Sequence, residues 1–184
     1  MNTTATLDQF KTVGSKQPLA FKTGKDEAKD VDVVSVLNQS LAHAIDLRSR
    51  TKQAYWSAKG GNFYTLHKMF NDFSSELDSI TDELAARVMA LGGIPVRTIS
   101  VVAKTSKLPD YPMGIVQASE HLDALIASYE AAAQHLPGTM RKVIQSGDHT
   151  TASVVTGFAK LLDAQVSFFT AHIPAEWVAP TRKQ

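Results

Sequence analysis

Cysteine is absent from the 184-residue chain. No disulfide framework can form, and thiolate metal sites are excluded. Net charge is nearly absent too. Nineteen Lys and Arg against 18 Asp and Glu leave a formal charge of +1, so no bulk field draws the chain to nucleic acid or to a membrane. No run of about 18 apolar residues occurs, and none is expected to span a bilayer. The N-terminus is polar and lacks the apolar core of a signal peptide, so a cytoplasmic location is the expectation. Several catalytic signatures are also missing. No Glu is followed three residues later by His, as the carboxylate di-iron bundles require. There is no H-E-x-x-H, no Gly-rich phosphate loop and no G-x-S-x-G elbow.

What is present is helical periodicity. Apolar residues make up 43% of the chain and charged residues 20%, ordinary for one globular domain with a sizeable core. In the stretch 62–93, Phe63, Leu66, Phe70, Phe73, Leu77, Ile80, Leu84 and Leu91 recur at steps of three and four, with Arg87 as the interruption. This is the seam of a helix packed nearly antiparallel in a bundle. Asn62 is placed to cap its start, and Gly92-Gly93 to end it. At ~1.5 Å per residue it extends about 42 Å, the length of a bundle stave.

The remaining chain fits the same plan. Residues 1–30 read as a mobile tail, because Thr, Lys, Gly, Asp and Gln dominate without periodicity. Its lysines, Lys11, Lys16, Lys22, Lys25 and Lys29, alternate with Asp8, Asp26, Glu27 and Asp30. The tail is a solvated arm or a weak DNA contact, since acids would ordinarily be excluded from a phosphate-binding arm. A first helix is expected over 31–58, with Val34, Leu37, Leu41, Ile45 and Tyr55 on its buried stripe and His43 packed between alanines. Pro95 opens a crossover. Residues 98–104 can form a short helix or one strand, and 108–112, with two prolines, must be irregular. A third stave is expected from about Met113 to Leu136, carrying Val116, Leu122, Leu125, Ile126 and Tyr129. Pro137-Gly138 should interrupt it, with another turn or two over 140–145. A fourth begins at Asp148 or Thr150 and carries Val155, Phe158, Leu162, Val166, Phe169 and Ile173 until Pro174. Glu120, His121 and Asp123 gather near the start of the third stave, either as helix-dipole acids or as a cation-attracting patch. The expected fold is all-α: a four-helix bundle over 31–174 with one long crossover containing a short helix, followed by a C-terminal tail over 175–184.

The stretch 52–93 resembles the Dps proteins, the DNA-protecting miniferritins of bacteria, whose bundle is ferritin-like. The matching residues are Lys52-Gln53-Ala54-Tyr55-Trp56, Asn62-Phe63, Leu66-His67, Phe70-Asn71, Phe73, Asp82, Ala85-Ala86-Arg87 and Leu91-Gly92-Gly93. Tyr111-Pro112 and Glu120-His121-Leu122 extend the resemblance, which covers 33–173. It implies a hollow shell of twelve subunits that stores iron and detoxifies it with peroxide. It also implies DNA binding through lysine-bearing tails and an association with the nucleoid. The family's oxidation site lies at a two-fold interface. Two histidines and an aspartate come from one subunit, an aspartate and a glutamate from the other. Carried over, those five positions are Tyr55, His67, Asn71, Asp82 and Ala86. Only His67 and Asp82 keep the family's residue types, so the resemblance implies one weak inter-subunit metal site at His67 and Asp82, with iron bound weakly or on mineral. His67 and Asp82 stand 15 residues apart on one helix, about 22 Å along its axis, and only a second copy can bring them together. The other reading is a non-catalytic architectural cage that shields DNA or scaffolds other subunits.

Overall fold

Between Gly24 and Gly60 the chain contains neither glycine nor proline, and one helix fills nearly all of that interval. In the computed structural model α1 spans Glu27–Ser57. The structure describes residues 27–175 apart from 61 and 97, with side chains from Asp32 onward. α1 therefore begins four residues before the expected Val31, so residues 27–30, expected in the tail, are helical. Lys29 lies in the first turn of α1, whereas Lys11, Lys16, Lys22, Lys25 and the C-terminal tail from residue 176 lie outside the described residues.

Four further helices follow: α2 Phe63–Ala90, α3 Ile99–Thr105, α4 Ala118–Ser146 and α5 His149–Ala171. α1, α2, α4 and α5 are the four staves. α3 is the short helix of the crossover, which settles the helix-or-strand alternative. Among the described residues no helix is long and apolar enough to cross a membrane.

The polarity of the staves follows from where their ends meet. A short loop turns α2 back along α1. The end of α2 lies beside the start of α1, where a Cβ on Gly93 would come within 2.5 Å of Val34 Cγ1; only glycine fits there. Gly92, at φ +78°, provides the left-handed stop. From that end the crossover travels along α1. Asn38 Oδ1 accepts from Val96 N–H at 2.9 Å, and its amide nitrogen donates to Ile94 O at 3.0 Å. Lys107 N–H donates to His43 Nε2 at 3.2 Å. Ser106 Oγ donates to Asp46 Oδ2 at 2.7 Å, and Arg50 Nη1 to Pro109 O at 2.5 Å. At the far end Lys59 N–H donates to Val116 O and Ala118 N–H to Lys59 O, an isolated parallel bridge. α4 thus starts beside the end of α1, antiparallel to it and parallel to α2.

The core is a continuous stripe from all four staves. Leu37, Leu41, Leu47, Phe70, Leu77, Leu84, Leu122, Leu125, Tyr129, Phe158, Leu162 and Phe169 are fully buried, each side chain stabilising by about 1.5–3 kcal/mol. Phe169 is the hub of an aromatic group, 5.1 Å from Tyr129 edge-on and 5.4 Å from Phe73.

Some expectations are corrected. α4 starts at Ala118 rather than near Met113, because Glu120 Oε2 accepts from the N–H groups of Gln117 (2.9 Å) and Val116 (3.2 Å) and the bridge to Lys59 holds 116–118 extended. Val116 is consequently 42% exposed, outside the core. Pro137 does not interrupt α4 but sits inside it. Its missing donor and ring clash cost about 3 kcal/mol. Burial of Leu136, Thr139 and Val143 on either side of it offsets that cost, and the ring itself faces solvent. Phe63, expected in the seam, is 47% exposed on the first turn of α2. Asn62 stands at the N-cap, but its side chain makes no capping bond.

Arg87, the break in the α2 stripe, is a tie between staves. Its Nη2 pairs with Asp148 Oδ2 at 2.6 Å and its Nε donates to Thr151 Oγ1 at 2.6 Å. Asp148 is the N-cap of α5 and accepts from Thr151 N–H at 3.1 Å. Burial pushes the Asp148 carboxyl up, but hydrogen bonds from Thr151 and the Arg87 guanidinium outweigh it, and the net position falls from 3.8 to about 2. A depressed carboxylate contributes stability above its unfolded value that is lost as pH falls through its folded value. We expect Asp148→Ala to cost about 2 kcal/mol at neutral pH. In denaturant titrations the gap between wild type and variant should narrow as pH falls from 4 toward 2. A gap independent of pH would contradict this account.

Candidate metal site on α1 and α2

The last turns of α1 lie beside the first turns of α2, and helical spacing selects which side chains meet. Lys52 and Tyr55 are three apart on α1, and Phe63, His67 and Asn71 step by four along α2, so each set shares a face. The Tyr55 and His67 rings stack with centroids 3.9 Å apart and planes 25° apart. Phe63 approaches the same imidazole at 5.0 Å. His67 Nδ1 lies 3.0 Å from Tyr55 O. A carbonyl only accepts, so Nδ1 carries the hydrogen and Nε2 of the neutral ring keeps the lone pair.

Lys52 is the residue that sequence reasoning left without a role. Its ammonium donates to Asn71 Oδ1 at 2.9 Å and sits 4.5 Å from the centre of the Tyr55 ring. The sequence signals were its place in the Lys52–Trp56 motif and its i, i+3 spacing to Tyr55. Through that bond the amide oxygen of Asn71 is engaged. A divalent ion about 5 Å from the ammonium would be opposed by several kcal/mol at an effective dielectric of about 20.

The structure thus brings Tyr55, His67 and Asn71 together, all half-buried. It does not bring Asp82 and Ala86 to them. Those two lie exposed farther along α2, with Asp82 about 22 Å from His67 along the axis. Among the described residues no group of three or more His, Asp or Glu side chains could hold a metal ion. Within one chain the cluster offers one free imidazole nitrogen, an engaged amide and a stacked phenol.

The Glu120–His121–Asp123 cluster divides its side chains among separate uses. Glu120 caps α4 as described above. His121 is buried, with Nδ1 2.7 Å from the Tyr111 hydroxyl, and burial lowers its affinity for a proton. Asp123 is half-buried.

A ferritin-like domain family matches residues 34–175. A DNA protection during starvation protein from Agrobacterium fabrum is 38% identical over 141 residues, 77% of this chain and 87% of that one. The chain belongs to the Dps family of ferritin-like proteins. A second Dps relative, DNA protection during starvation protein 2 of Bacillus anthracis, is 30% identical over 68% of this chain and 85% of its own length. Among solved structures, Dps from Mycobacterium smegmatis aligns with a TM-score of 0.78 and 25% identity over 83% of this chain and 93% of that one. Dps from Staphylococcus aureus aligns at 0.75 and 26% over 79% and 97%. DpsC from Streptomyces coelicolor aligns at 0.80 over 87% and 94%, and at 22% identity it speaks for the fold alone.

In this Dps-family chain the His67 ring holds Tyr55 to α2 through one stack and one hydrogen bond. His67→Ala should therefore destabilise the protein by about 1–2 kcal/mol. Chemical denaturation checks this, and an unchanged midpoint would mean that the stack contributes nothing.

Proposed function

We propose that the chain is the subunit of a Dps-like miniferritin cage that stores and detoxifies iron and shields DNA under stress, with the inter-subunit oxidation site largely lost. The printed function of the relatives, DNA protection during starvation, supports the first part. The ferritin-like domain match over residues 34–175 supports iron as the cargo. One observation carries the second part: the Lys52 ammonium bound to Asn71 and lying over Tyr55. It places a positive charge on the Asn71 amide and over the Tyr55 ring, two of the positions the family resemblance assigns to ligands.

In this reading a two-fold brings Asp82 of a second copy to His67, and with water they hold one weak divalent ion. Fe(II) prefers several hard oxygen or imidazole ligands; Tyr55, Asn71 and Ala86 supply none at full strength. Iron then enters the cage and is oxidised slowly, chiefly on mineral already formed. The ammonium also favours the second reading, an architectural cage without iron oxidation.

Stopped-flow oxidation of Fe(II) by peroxide should lack a fast phase saturating at a fixed number of irons per subunit. Tyr55→His, Asn71→Asp and Ala86→Glu together should create that phase. A fast stoichiometric phase in the unaltered protein that disappears in His67→Ala would overturn the lost-site reading. Complete absence of mineral after prolonged iron loading would favour the architectural cage.

Assembly and DNA binding are checked separately. Light scattering behind a sizing column should give about twelve times the 20.0 kDa subunit mass; a monomer or dimer at physiological salt is incompatible with the cage. DNA binding should be weak and salt-sensitive, with avidity supplied by many arms on one particle. Removing residues 1–26, which leaves α1 whole, should abolish it. Undiminished binding would move the contact to Arg182-Lys183 or elsewhere.

A further inference from the structure

His43 stands apart from the candidate site, at the place where the crossover meets α1 and α4. Its side chain is fully buried. Nε2 accepts the Lys107 N–H at 3.2 Å. A ring nitrogen that accepts carries no hydrogen, so the neutral imidazole must be protonated at Nδ1. That buried Nδ1 has no hydrogen-bond partner. The His135 ring of α4 lies 4.8 Å away, tilted by 42°. A metal ion at Nδ1 is thereby excluded while the Lys107 bond stands, because both ring nitrogens would then have to offer lone pairs.

From this geometry we infer that His43 is an acid-sensitive latch: protonation at Nε2 breaks its bond to Lys107 and loosens the crossover there, between the Ser106 and Pro109 tethers to α1. A protonated ring would present N–H to N–H at Lys107 and would bury a charge with two unsatisfied donors. The carboxylate that could compensate is Asp46, on the same helix. Its two oxygens are already engaged by Arg50, at 2.8 and 3.0 Å, and by Ser106. The charged and titratable groups that act on the ring are thus His135 from α4 and Asp46 and Arg50 from α1; the crossover contributes its Lys107 amide. Burial first, then His135, with Arg50 adding and Asp46 opposing, holds the His43 imidazole down from 6.5 to about 4.

The direction of the effect follows. A histidine whose closed-state value is lowered favours the closed state fully above its open-state value, near 6.5. That preference is lost as pH falls from there toward about 4. Over this window the opening equilibrium gains up to a factor of ten per pH unit, on the order of 100-fold in all.

Hydrogen exchange read by mass spectrometry on the full chain tests this. The readout is the protection factor of the segment containing the Lys107 amide, corrected for the intrinsic pH dependence of amide exchange. In wild type it should fall on the order of 100-fold between pH 6.5 and 4. In His43→Gln, whose amide oxygen can accept from Lys107 but does not titrate, it should stay nearly flat. His135→Gln removes a repelling neighbour, raises the closed-state value and should leave a smaller fall, complete at a higher pH than in wild type. A flat wild-type profile overturns the latch. So does an equal fall in His43→Gln, which would place the titration outside His43. If circular dichroism shows His43→Gln unfolded at pH 7, the His135→Gln profile decides, and a fall as large as that of wild type overturns the proposal.

Discussion

The guanidinium of Arg50 donates to both oxygens of Asp46 one turn back on α1, to Ser128 Oγ of α4 at 2.9 Å and to the Pro109 carbonyl of the crossover. Its side chain is only 11% exposed. Every nitrogen of the group is thus engaged, and three separate parts of the fold depend on it. Asn38, His43 and Asp46 extend the same polar stripe toward the start of α1. The crossover has one short helix and leaves much of its apolar surface exposed, with Val102 its buried contribution from α3. Side-chain bonds to its backbone therefore do what packing does elsewhere. They lay it along α1 and deliver α4 antiparallel to that helix, which a bundle with parallel α2 and α4 requires.

That placement gives the candidate site its character. α1 and α2 meet as a tight hairpin, so Tyr55, His67 and Asn71 converge without help from another chain. Asp82 and Ala86 sit beyond reach on the same straight helix. What converges is aromatic and cationic: a stacked phenol, an imidazole held by a backbone carbonyl, and an ammonium on the amide. A cluster of this kind stabilises the helix pair by stacking and hydrogen bonding. It offers little negative charge to a hard cation.

The staves were legible because three- and four-residue apolar spacing is a local property, and the seams named from spacing on α2, α4 and α5 are largely the buried ones. Errors gathered at helix ends. Met113 to Gln117 contains no strong breaker beyond Gly114, so spacing alone ran the helix too far back. The Glu120 cap and the bridge to Lys59 decide the start of α4, and the bridge involves a residue more than fifty positions earlier. Pro137 misled in the opposite direction. Proline chemistry argues for a break, yet buried neighbours on both sides make continuation the lower free energy. In the candidate site, His67, Asn71 and Tyr55 were named by the family resemblance. Lys52 could not be given its role, because an ammonium on a long flexible stem is ordinarily solvated, and only the position of α2 shows what it reaches.

By itself the sequence determined that the chain is helical and of bundle type and that thiolates play no part. These follow from residue identity and short-range periodicity, which need no knowledge of distant contacts. Only the tertiary structure decided that Arg87 ties α2 to the cap of α5, that the crossover hangs on four polar side chains of α1, and that Lys52 occupies the Asn71 amide. Each joins residues from 19 to more than 60 positions apart. Such contacts exist only after packing has set two helices at a fixed distance and rotation, and no local pattern encodes that geometry.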